Sequence, residues 1–240
     1  VDILSNSISN LPYSAIQIVG SSGVTMTSNT ISNVLTSFDH GCAVQISSSA
    51  TVTLNQNNIS GDGLGYCITN SNGVDIDANN IASNMGAHIN GVPESSNIQI
   101  RNMNFGSAKE LFIGGCMPSC STTIVKSVSI TNNTFDGIGR ALNLDHVENF
   151  IISDNIFKNA GDSDIMIWGS DTGGHTITDN TFENNSHVAL HSGTVNNNDG
   201  HTISGNTFTN NNVAIELGNK NNQFTNNNFV NNAIAIKDVG

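Results

Sequence analysis

His187 and His191 stand four residues apart, and the chain around them supplies Arg140, Asn143, Asp145, Asp164, Trp168 and Glu216. An imidazole takes or gives a proton near neutral pH. The lone tryptophan offers a flat face on which a sugar ring stacks. Asp145 and Asp164 bring the oxygen donors that Ca2+ takes. Together these types fit elimination on a uronate-containing polysaccharide. Arg140, or a Ca2+ ion held by Asp145 and Asp164, would neutralise the uronate carboxylate, while His187 or His191 would abstract its C5 proton. Asn143, Trp168 and Glu216 would hold the glycan. A glycoside hydrolase needs two carboxyls at a defined separation, for which Asp145 or Asp164 with Glu216 are the available pairs. Either chemistry requires groups distant in sequence to meet.

What brings them together is a repeat. The pattern Val-x-Ile-x-x-Asn-x-Ile/Phe runs down the chain, and its last apolar position falls at Ile8, Ile31, Ile59, Ile81, Phe105, Phe135, Phe157, Phe182, Phe208 and Phe229, 21 to 30 residues apart. A period of this size with strand-like alternation predicts a solenoid of ten coils, because each unit buries its apolar side only against its neighbours. Each unit reads as two short strands joined by a tight turn, then a third strand after a variable loop. In the ninth coil Val213, Ile215 and Leu217 would point inward, with Ala214 and Glu216 outward.

Asn stands two residues before the marker in every coil but the fifth, where Met103 replaces it. Asn tolerates a left-handed corner, and its amide can donate and accept along a stack of identical amides, so a ladder with a local irregularity at Met103 is expected. With these features the chain resembles the right-handed parallel β-helix of the pectate-lyase-like superfamily, over essentially residues 1 to 240. The resemblance implies an all-β solenoid forming one domain, with a substrate groove along the first sheet, the one following the variable loops. It embraces polysaccharide lyases, hydrolases, epimerases, phage tailspikes and non-enzymatic surface proteins, so it does not select an activity. The polygalacturonase signatures and the Asp-Pro-His of alginate epimerases are absent, and Phe38-Asp39-His40 matches only a fragment of a pectate lyase signature.

On that sheet, aligned coils would put Asp145, Trp168, His191, Glu216 and Lys237 in one outward row, neighbours about 4.8 Å apart, and Asp164, His187 and Asn212 in a second. Asp145 and Glu216, three coils apart at roughly 14 Å, exceed either hydrolase geometry, which favours the lyase. His175 and His201 sit at equivalent positions of adjacent coils and should stack, as a partly buried pair or a transition-metal site.

Composition narrows the partners. The net charge is −12 with only seven Lys+Arg, which excludes a nucleic-acid footprint. No apolar run approaches the roughly 18 residues of a membrane span. No leader and no Met open the chain, so Val1 is expected to begin a mature chain or an excised fragment. Low charge, abundant Asn and four cysteines favour an extracellular or cell-surface location with a disulfide. Cys116–Cys120 is the more plausible pair, since Cys42 and Cys67 look three positions out of register. Two rival roles are scaffolding, with head-to-tail self-association through uncapped coil ends, and ice binding through Thr-x-Thr ranks on the second sheet.

Overall fold

The computed structural model of the chain describes residues 1–35, 42–81, 85–90, 95–105, 110–114, 125–168, 174–193 and 200–239. Among them every strand pairing is parallel and no helix occurs. The ladder of the second sheet carries ten strands in sequence order, from Asp2–Leu4 through Ser22–Thr27 and Ser96–Arg101 to Gln223–Thr225. The first sheet follows the same order, ending in Leu142–Asp145, Ile165–Trp168, Val188–Ser192, Val213–Leu217 and Ile234–Asp238. The chain is therefore the expected right-handed parallel β-helix.

Alternation decides which side chains fill the interior. Met26, Leu54, Ile100, Ile130, Ile152, Ile177 and Ile203 are all but inaccessible on the second sheet. On the third, Phe105, Phe135, Phe157, Phe182, Phe208 and Phe229 form one column of parallel rings with centroids 4.6 to 5.2 Å apart. Each ring covers apolar surface that a single coil would leave wet.

The asparagine ladder is present and fully bonded. Asn57 Nδ2 donates to Asn79 Oδ1 at 2.8 Å and to the Met26 carbonyl at 2.9 Å, while Asn57 Oδ1 accepts from Asn29 Nδ2 at 2.9 Å. The left-handed residue is the one before the ladder asparagine, such as Gln56, Asn132 and Asp154 with φ between 52° and 57°, and not the asparagine itself. The corner thus divides its work: the preceding residue turns the chain, and the ladder amide fills the buried space that the turn leaves. At Met103 the expected irregularity appears. Its thioether receives the Asn79 N–H at 3.2 Å, its own N–H donates to Asn133 Oδ1, and pairing on the third sheet shrinks to isolated bridges at Asn104.

A disulfide joins Cys42 to Cys67, with Cα atoms 5.7 Å apart. The bond joins the pair that the sequence reading disfavoured; Cys116 and Cys120, the pair it preferred, lie outside the described residues, as does Phe38-Asp39-His40. The three-residue offset is real, because the ladder pairs Cys42 with Leu64 and Cys67 with Gln45.

Candidate functional site

The register of the first sheet aligns, strand by strand, Gln17, Gln45, Cys67, His88, Phe112, Asn143, Met166, His191, Glu216 and Lys237. The expected row is therefore corrected between the seventh and eighth coils. Ile165 pairs with Leu190, so His191 lies opposite Met166 and not Trp168. A two-residue slip keeps each side chain on its own face while changing its neighbour.

Trp168 stays opposite Asp145, and its indole reaches back along the sheet to Asn143. Nε1 donates to Asn143 Oδ1 at 2.6 Å, and Asn143 Nδ2 donates to Glu110 Oε2 at 3.1 Å. Asn143 is buried with both its amide oxygen and its amide nitrogen hydrogen-bonded, while Trp168 remains 38 % exposed. The result is an aromatic plate fixed at one edge with its surface open to solvent.

Beyond Met166 the row becomes ionic. His191 Nδ1 lies 3.3 Å from Glu216 Oε1, and Lys237 Nζ donates to Glu216 Oε2 at 2.6 Å. The hydrogen bond from Lys237 holds the Glu216 carboxyl below its usual range against a smaller opposing effect of burial. Asn143, Trp168, His191, Glu216 and Lys237 thus span five consecutive coils of one face.

The remaining candidates lie elsewhere. Arg140 donates to Asp162 Oδ2 at 2.7 Å, and the exposed His187 is 3.8 Å from Asp162 Oδ1, a separate cluster at the strand entrance. Arg140 is engaged there by a carboxylate absent from the expected set. Asp145 binds His146 Nδ1 at 2.7 Å. Asp164 does not face solvent at all. The register of Leu142 with Ile165 and of Leu190 with Ile215 sets it in a column with Ala141, Ala189 and Ala214, all four inaccessible. Its Oδ2 meets no hydrogen-bond partner among the described residues, and burial pushes its pKa well above the ordinary carboxyl range. Asp145 and Asp164 stand four residues out of step on adjacent strands, roughly 13 Å, so they cannot share one Ca2+ ion. Among the described residues no three His, Cys, Asp or Glu converge as a metal cluster.

His175 and His201 do stack, ring centroids 4.9 Å apart, and both are buried. The Phe150 N–H donates to His175 Nδ1, and His201 Nε2 lies 3.1 Å from Ser192 Oγ. They are corner-filling groups.

Sequence reasoning passed over Glu110, Asp162, Met166 and Gly193. The signal for the register was available: Phe157 and Phe182 are 25 residues apart, as are Ile165 and Leu190, so counting from the markers places Met166 against His191.

Residues 1–125 match the family model described as right handed beta helix region, and residues 94–240 match the one described as periplasmic copper-binding protein (NosD). The chain belongs to the right-handed β-helix proteins and, over its larger C-terminal part, to the NosD family. Three solved structures are similar. The surface protein and adhesin PfbA of Streptococcus pneumoniae has a TM-score of 0.64 and 14% identity, over 100% of this chain and 85% of that one. A hyperthermoactive exopolygalacturonase from Thermotoga maritima gives 0.63 and 16%, over 88% of this chain and 54% of that one. The catalytic domain of a GH87 α-1,3-glucanase in complex with tetrasaccharides gives 0.53 and 13%, over 100% and 61%. The chain spans about half the length of the exopolygalacturonase. At these identities the likeness is one of fold. No curated protein matches the chain.

Proposed function

We propose that the chain binds a polysaccharide along the outward face of the first sheet in its C-terminal half, with Trp168 as the stacking platform. The observation that carries this is the tether from Trp168 Nε1 through Asn143 to Glu110, which anchors one edge of the ring and leaves it exposed. A fixed ring loses little freedom when a sugar docks. His191, Glu216 and Lys237 continue the same face with donors and acceptors suited to hydroxyls, and opposite charges within the group keep an acidic sugar from being repelled. The fold neighbours that act on glycans, an exopolygalacturonase and an α-1,3-glucanase, support this class of ligand. The periplasmic description of the family model and the surface location of PfbA support a place outside the cytoplasm.

A finer reading is elimination on a uronate. The Glu216 contact at His191 Nδ1 favours it, since it orients the imidazole with Nε2 as the base. Arg140, already engaged by Asp162, is poorly placed as the neutralising group. Ca2+ supplied with the substrate, and not through an Asp145–Asp164 pair, would fill that role.

Binding is tested by affinity electrophoresis of the chain in gels of uronate-containing and neutral polysaccharides, with Trp168→Ala as the control. Retardation that survives Trp168→Ala sinks the platform. Ultraviolet absorbance of an unsaturated uronate, measured with and without Ca2+, separates elimination from binding.

A further inference from the structure

We infer that the outward face of the second sheet, from Ser129 to Thr225, is an ice-binding face. It lies on a different sheet from the glycan reading and shares no residue with it. The register sets ten outward positions of five neighbouring strands in two rows: Ser129, Ile151, Thr176, Thr202 and Gln223 in one, and Thr131, Ser153, Thr178, Ser204 and Thr225 in the other. Eight of the ten carry a hydroxyl, and the other two are Ile151 and Gln223, so no charge falls in either row.

The regularity comes from beneath. Ile130, Ile152, Ile177 and Ile203 repeat one inaccessible side chain under the rows. In the same coils the rings from Phe135 to Phe229 stack 4.6 to 5.2 Å apart with planes only 4° to 8° from parallel. Adjacent strands of an ordinary sheet turn by roughly 20°. These coils twist far less, so the face is flat, with side chains repeating at the stacking distance across coils and at roughly 6.7 Å along each strand.

Charge and chemistry select the occupant. The chain carries a net charge of −12, yet these rows carry none and hold no aromatic ring on which a sugar would stack. That leaves a neutral, flat, repeating partner. Hydroxyls anchor water, while the threonine and isoleucine methyls between them restrict how that water orients. Water held in two directions at spacings on the scale of the ice lattice joins a growing crystal plane. Ile151 is 49 % exposed and Thr202 is exposed, so the rows stand open. The N-terminal half of the same sheet lacks this array, because Arg101 bridges Asp75 and Asp77 across its rows.

The test is nanolitre freezing osmometry of the full chain, with crystal shape observed inside the hysteresis gap. We expect faceted crystals and a gap that widens with protein concentration. Thr178→Lys and Thr202→Lys, each placing a charge in a row, should abolish the gap, whereas Thr53→Lys in the N-terminal half should leave it unchanged. Thr225→Lys, at another exposed position, replaces either variant that fails to fold by circular dichroism. Round crystals without a gap, a gap retained in the row variants, or a gap lost equally in Thr53→Lys would overturn the face. So would light scattering in which Thr202→Lys dissolves a dimer of a parent chain that leaves ice growth unaffected, since the rows would then join two copies.

Discussion

The solenoid before Met103 and the solenoid after it share one backbone plan and one asparagine ladder, and differ in the side chains of the third sheet, of the other corners and of the outward face. Before Met103 the markers Ile31, Ile59 and Ile81 fill the third sheet, and the corner entering the second sheet is lined by serines, with Ser21 N donating to Ser49 Oγ and Ser49 N to Ser71 Oγ. After it the markers are stacked phenylalanines, a second ladder of Asn185, Asn211 and Asn232 fills another corner, and His175 takes over as a corner acceptor. Outward, Gln17 and Gln45 give way to Asn143, Met166, His191, Glu216 and Lys237. The interior repeats because buried amides and apolar rings must be satisfied by neighbours, while the outward face is free to carry chemistry on one half only.

The sharpest way to break this contrast is to remove one corner group from each half. Asn155→Ala should cost about 2–4 kcal/mol, because it strands the Asn133 amide and the Ile130 carbonyl in a buried site, whereas Ser49→Ala should cost about 1 kcal/mol. Urea unfolding measures both; equal losses would mean that a ladder amide and a corner serine hold their corners equally well.

Asp164 tests the C-terminal interior by pH. Its folded carboxyl keeps a proton that the unfolded chain releases near the ordinary carboxyl pKa of about 3.9, so native stability falls as pH rises above that value, until the buried group itself ionises. Asp164→Asn carries no such dependence. Its stability relative to the parent should grow from pH 4 to pH 7 in thermal melts, and parallel pH profiles would remove the desolvated carboxyl from the account.

On the outward face, Trp168→Ala should weaken polysaccharide retardation roughly tenfold, about 1.4 kcal/mol, while Gln45→Ala in the quiet half should leave it unchanged. The smallest effect is expected at the boundary. Met103→Asn would restore the missing amide between Asn79 and Asn133, and a gain of about 0.5–1.5 kcal/mol in the urea midpoint is expected.

The ladder, the parallel solenoid class and the irregularity at Met103 were legible in sequence because they arise from residue types with one strong reason to be where they are. The phenylalanine column was legible for the same reason. The site was harder. Coil lengths vary in the loops, and a strand-by-strand alignment at Val188 shifted His191 by two positions against Trp168, though the marker spacing held the right answer. Asp164 was misread as outward because alternation fails where the chain bends into the first sheet, leaving Asp164 and Ile165 both buried. Asp162 and Glu110 escaped notice because each acts through a partner one or two coils away, a relation that local spacing does not display. The Cys42–Cys67 bond was set aside on a correct offset, which nonetheless leaves the two Cα atoms 5.7 Å apart.

That bond also shapes how the molecule opens. Since each coil rests only on the next, amides should lose protection in sequence from an end, coil by coil. A covalent staple across adjacent coils turns them into a single latch: with sulfur linked to sulfur, the amides of residues 42–67 should exchange with deuterium as one block, and after reduction as two.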